Sequence, residues 1–170
     1  MNRKGFTLIE LLATILILSL LMLVAVPNVM STIDKNKRDT YVEDAKRMIT
    51  LAEYKVRSDV DIPLPTEGNC IVIILNALDT NSFEEGPEGG AYDFEKSYVV
   101  IGRKDNTYHY LATIVENFDG DTRGIPLISR EELNKDSAKN KVLAGDDLDI
   151  TVPTVGSSLN EFTVTNVIDS

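Results

Sequence analysis

Glu10 is the only charged residue between Phe6 and Met30, in a run otherwise dominated by Leu, Ile, Val, Ala and Met. A carboxylate held in hydrocarbon is costly and needs a partner or a function. Phe6 lies four residues earlier, on the same face of a helix. The chemistry this spacing offers is charge pairing. A chain cut before Phe6 would place a new amino group at the helix start, where this Glu10 or a neighbouring chain's Glu10 could meet it. The other chemically capable residues offer less. Cys70 is the sole cysteine, so no intramolecular disulfide forms. It reads as a buried small hydrophobe, with an intersubunit disulfide as the alternative. His109 is the sole histidine, which rules out a paired-histidine metal site or a zinc finger. Asn117-Phe118-Asp119-Gly120-Asp121 suggests a calcium loop, but the twelfth position counted from Asn117 is Ile128 instead of a bidentate Glu. A surface turn is expected there, and a solvated loop at Asp146, Asp147 and Asp149. The chain contains no Ser/His/Asp set, phosphate loop or metal cluster, so neither an enzyme nor a cofactor or metal is expected. A net charge of -10 argues against a dedicated nucleic-acid binder.

The element that must position Glu10 is a membrane helix. About 20 apolar residues at a 1.5 Å rise cross a bilayer's hydrocarbon layer, and the run from Phe6 to Met30 is long enough. Arg3 and Lys4 precede it and would keep the amino terminus in the cytoplasm, with everything after the span outside. Length and hydropathy alone leave three other readings open. A secretory signal peptide has a shorter apolar region, and Val24-Ala25-Val26 before Pro27 is a poor small-x-small site. A core helix of a soluble protein and a plain signal anchor for an unrelated domain are the others. None accounts for Glu10.

Gly5-Phe6-Thr7-Leu8-Ile9-Glu10-Leu11-Leu12 resembles the type III signal of type IV prepilins and pseudopilins. That pattern has a short basic leader ending in Gly, a first mature residue that is often Phe, and a Glu four residues later. The resemblance implies cleavage between Gly5 and Phe6 by a membrane prepilin peptidase, with N-methylation of Phe6. It also implies that Glu10 guides assembly by pairing with the amine of an adjacent subunit, and many pilins carry a proline where this chain has Pro27. The implied partners are further copies of the chain, other pilins, the peptidase/methyltransferase, an assembly platform with its ATPase, and membrane lipid before assembly.

Beyond the span, Val29, Ile33, Tyr41, Ala45, Met48, Ala52 and Val56 recur at steps of three, four or eight residues, with Val42 and Ile49 alongside. Charged residues fill the gaps, so an amphipathic helix continues until Asp61-Ile62-Pro63-Leu64-Pro65 ends it. The expected division is a leader at 1–5, a long helix at 6–57 and a globular head at 58–170. Within the helix, 6–28 would be transmembrane and 29–57 amphipathic. A continuous helix would be roughly 75–80 Å long, and Pro27 should kink or locally melt it.

In the head, Cys70 to Leu75 reads as a strand, although Leu75, Leu78 and Asp79 could open a short helix. Gly86 to Asp93 reads as a loop, resembling the Gly- and Tyr-containing loop before the sheet in pilins, especially Gram-positive ones. Ser97 to Arg103 and Thr107 to Val115 form a hairpin around Lys104-Asp105-Asn106. Ser129 with Glu132 matches a capping box opening a helix through about Lys141, and Glu161 to Ile168 is a last strand. The class is α+β: a pilin fold, with a long N-terminal α-helix packed on an antiparallel β-sheet head. The single cysteine excludes the disulfide-bounded carboxy-terminal loop of many Gram-negative pilins and points to the Gram-positive type. Two functions follow from the resemblance. One is a structural subunit of a type IV pilus for adhesion, motility or surface contact. The other is a pseudopilin of a type II secretion-like or competence DNA-uptake apparatus. The expected location is a single pass through the inner or cytoplasmic membrane, then an extracellular or wall-spanning pilus.

Overall fold

A computed structural model describes residues 6–78, 80–83 and 85–170. The leader through Gly5, and Asp79, lie outside the described residues. The chain divides into two compact units, Met1–Asn36 and Lys37–Ser170.

The first unit is formed by the start of helix α1, Leu8–Ser58. Its apolar window has a mean hydropathy of 2.7 with none of it buried, so α1 is long and apolar enough to cross a membrane. Its few polar side chains fold back on the backbone. Thr14 donates to the Leu11 carbonyl (2.7 Å), Ser19 to that of Ile15 (2.7 Å), and Asn28 to that of Val24 (3.1 Å). Such bonds keep polar groups satisfied away from water. The α-helix continues through Pro27, which has no N–H to offer the carbonyl one turn back. Val29 and Ile33, expected in the buried stripe, are exposed at 56 % and 45 %. The buried stripe lies wholly in the second unit, as Tyr41, Val42, Ala45, Met48, Ile49, Ala52 and Val56. The two outer residues instead continue the apolar surface of the span.

In the second unit that stripe packs on a sheet of eight strands among the described residues. They are β1 (Asn69–Ile74), β2 (Ala91–Tyr92), β3 (Tyr98–Lys104), β4 (Thr107–Phe118), β5 (Asp121–Ser129), β6 (Leu143–Ala144), β7 (Ser158–Leu159) and β8 (Phe162–Ile168). Their order is β6-β5-β4-β3-β1-β8-β7, with β2 on β4. Pairings are antiparallel except β1 with β8, which is parallel. The sheet is therefore mixed, because the chain makes a long excursion after β5 before returning beside β1. Alternate residues serve two cores. Ile71, Ile73, Val99, Ile101, Ala112 and Ile114 face the helix stripe. Cys70, Val72, Tyr98, Val100, Phe162 and Val164 face the other way, where Ile150, Val152 and Leu159 pack against them. Burial on both faces explains why β1 and the first half of β3 are unbroken apolar runs.

The β3–β4 hairpin closes on Asp105 and Asn106, both left-handed (φ 50° and 61°), as a two-residue turn requires. A short 3-10 turn, Leu75–Ala77, follows β1 directly, so both halves of that sequence reading occur in succession. The helix expected from Ser129 to Lys141 is corrected to a single turn, α2 (Arg130–Leu133), followed by a separate 3-10 turn at Ala138–Lys141. Ser129 does cap it, accepting from the Glu132 N–H at 3.2 Å. After Leu133, however, the next buried residues are Ala138 and Val142, so no apolar stripe sustains a longer helix.

Candidate functional site

Thr7 stands just before α1 and caps it. Its Oγ1 accepts from the Glu10 N–H at 3.3 Å, while Glu10 Oε2 accepts from the Thr7 N–H at 2.9 Å and from Thr7 Oγ1 at 2.8 Å. This is a reciprocal capping box, satisfying amide donors that a helix start leaves orphaned. The sequence signal, Thr followed three residues later by Glu, was present but masked by the apolar run around it. Glu10 thus has a partner within its own chain and completes the helix's positive end. Both Thr7 donors converge on Oε2. Phe6, Leu8 and Ile9 around it are exposed at 77 %, 84 % and 75 %, so the carboxylate sits within a bare apolar surface. Pro27 is 17 residues further along the same helix, about 25 Å at 1.5 Å per residue. Gly5, on the other side of the expected cut, is outside the described residues.

A second polar centre, unforeseen from sequence, ties the helix to the head. Lys37, Tyr41 and Asp44 share one helix face at i, i+4 and i+7. Tyr41 donates to the fully buried Glu116 at 2.5 Å, and Tyr92 donates to Asp44 at 2.5 Å. Glu116 also accepts from the backbone of Glu88 (3.0 Å) and Gly90 (2.8 Å). Glu88 in turn pairs with Lys37 at 2.6 Å and with Arg123. Close approach to β4 accounts for two glycines of the Gly-rich loop. A Cβ on Gly86 would lie 2.2 Å from the Glu116 carboxyl carbon, and one on Gly90 would lie 2.1 Å from the Asn117 carbonyl oxygen. Burial, with the carboxylate partners adding to it, pushes the Tyr41 and Tyr92 hydroxyls far above the usual range. Asp44 is raised mainly by burial. At the other end of the stripe, the Arg130 hydrogen bond holds the Glu53 carboxyl below its ordinary value, and Arg130 stacks 4.2 Å over Tyr110.

Cys70 is free and fully buried, and burial pushes its thiol up to about 11. This is the small-hydrophobe role. His109 is half-buried in β4 beside Phe162, with ring centres 6.1 Å apart. Asp119 and Gly120 form the β4–β5 turn, both with positive φ. Among the described residues no group of three or more His, Cys, Asp or Glu could hold a metal ion.

The model of the prokaryotic N-terminal methylation motif matches residues 1–26. No curated protein and no solved structure matches the chain. The match covers residues 1–5, the capping box and most of the exposed apolar helix. This chain carries the amino-terminal signal of a type IV prepilin, which supports its place in the type IV pilin and pseudopilin family.

Proposed function

We propose that the chain is the precursor of a structural subunit of a type IV pilus, processed at its amino terminus and polymerised through α1. The observation that carries this reading is the methylation motif over residues 1–26, joined to a helix whose apolar window is wholly unburied. In this reading residues 1–5 are a leader removed between Gly5 and Phe6 by a prepilin peptidase, which also methylates Phe6. Residues 6–28 span the membrane, 29–57 continue the helix, and 58–170 form the head outside. Pro27 is the point of bending. The polymer forms when the span exchanges lipid for the equivalent helices of other copies, driven by an assembly platform and its ATPase. The Glu10 carboxylate draws the Phe6 amine of an adjacent subunit into register, and its Oε1 is the oxygen not engaged by Thr7. The chain itself makes and breaks no bonds.

The same processing and fold would serve a pseudopilin. A head with both sheet faces covered favours a surface-displayed filament for adhesion, motility or contact, and the lone Cys70 supports the Gram-positive type. Replacing Glu10 with Ala tests the polymer role. Membrane insertion should persist while filaments are lost, and normal filaments from that variant would remove Glu10 from assembly.

A further inference from the structure

The two faces of the sheet are closed by unequal means. One is covered by the α1 stripe from Tyr41 to Val56, all of it helix. On the other, Cys70, Val72, Val100 and Val164 are exposed by 1 % or less, and part of their cover is the chain between β6 and β7. From Leu148 to Thr154 that chain has no regular secondary structure. Among the described residues, no backbone N–H from Asp149 to Val155 donates to a backbone carbonyl. Its exposure alternates. Asp149 and Thr151 face water, while Ile150 and Val152 are partly buried against the second core.

The segment is tied at its ends. The Leu148 N–H donates to the Gly145 carbonyl at 3.0 Å, and the Gly156 N–H to the Val164 carbonyl at 2.8 Å. Both glycines have positive φ, 58° and 86°, a conformation glycine adopts at little cost. Between these ties the Tyr98 hydroxyl holds the middle down, donating to the Thr151 carbonyl at 3.3 Å. Ordering an extended chain costs backbone entropy at every residue. Here two half-covered side chains and one hydrogen bond from the sheet oppose that cost. Segments with few buried apolar groups and a solvated backbone open well below the free energy of global unfolding.

We propose that residues 149–155 form a releasable strap, which lifts about Gly145 and Gly156 while the sheet and the α1 stripe stay folded, and that lifting it bares the sheet face carrying Cys70. Cys70 pairs with Val164 across β1 and β8, and Val164 is the residue that ties the strap's far end. On its other side Cys70 pairs with Gly102, where a Cβ would come within 2.7 Å of the Phe162 ring. That part of the cover belongs to β8 and stays with the sheet, so the strap is the part that lifts. Cys70 is thus a conditional thiol, inert under the closed strap and open to a small electrophile when the strap is raised. The device belongs to the head and does not depend on the filament reading.

Because Cys70 is the sole cysteine, the full-length protein in detergent micelles carries its own reporter. Labelling with N-ethylmaleimide, followed by intact mass over a series of urea concentrations, measures the opening. Wild type should label without urea, at a rate that rises only slightly through low urea, as an opening that exposes little surface does. Tyr98→Phe keeps the ring but removes the hydroxyl, and should label about fivefold faster. Tyr41→Phe weakens the core on the helix side, and should lower the urea midpoint while the labelling rate without urea stays the same. If both variants speed labelling in step with their loss of stability, Cys70 is reached only by global unfolding and the strap does not lift on its own. No labelling below the unfolding transition, or a rate that Tyr98→Phe leaves unchanged, would equally overturn the proposal.

Discussion

At the scale of single residues, two glutamates with opposite surroundings account for most of what is specific in this chain. Glu10 lies on a bare apolar helix and, among the described residues, accepts its hydrogen bonds from Thr7. Glu116 is sealed in the head and satisfied by Tyr41 and two loop amides. For Thr7→Val, loss of the hydroxyl removes two of the three box hydrogen bonds. Amide exchange at Glu10 should speed up several-fold in detergent micelles, and Thr7→Ser should restore it. Glu116→Ala would leave the Tyr41 hydroxyl and the Glu88 and Gly90 amides buried without an acceptor. Urea unfolding should show a loss of about 3–5 kcal/mol, whereas Glu116→Gln, which keeps an acceptor, should lose clearly less. Of these two residues only Glu10 was legible in the sequence. A charge in a greasy run announces itself locally, but Glu116 sits 75 positions from Tyr41, and no periodicity in either segment marks the pairing.

At the scale of elements, what could be read was what is set by neighbours along the chain. The amphipathic stripe from Tyr41 to Val56, the β3–β4 hairpin and the capping role of Ser129 all follow from spacing or turn chemistry. Strand β5 was invisible because Gly124 and Pro126 interrupt its pattern. The structure explains both. A Cβ at Gly124 would approach the Ile114 carbonyl oxygen to 1.9 Å, and Pro126 falls in the register irregularity opposite Thr113. The parallel β1–β8 pairing was equally hidden, since it depends on where the excursion between β5 and β8 returns. Close approach to β4 explains two glycines of the Gly-rich loop, and Gly86→Ala should destabilise by more than about 2 kcal/mol through overpacking against Glu116. Thermal unfolding of the full chain in detergent checks this. The contact between α1 and the head also has a pH signature. Glu53 is held below its ordinary value in the fold, mainly by Arg130. It therefore adds stability that is present above the unfolded value, about 4.3, and is lost as pH falls through the lowered folded one. Acid titration of unfolding should show wild type losing more stability between pH 5 and 3 than Glu53→Gln, with the difference vanishing in an Arg130→Gln background.

At the scale of the whole molecule, a helix long and apolar enough to cross a membrane leads into an acidic sheet domain. The helix has an anchor's composition, but its first residues carry a processing and methylation signal that an anchor does not need. Prepilin maturation is tested by the intact mass of the protein extracted from its native membranes. The expected chain begins at Phe6, lighter than the encoded one by Met1 to Gly5 and heavier by one methyl group. A mass matching the full 170 residues, or a cut after Val26 at the secretory-type site, would overturn it.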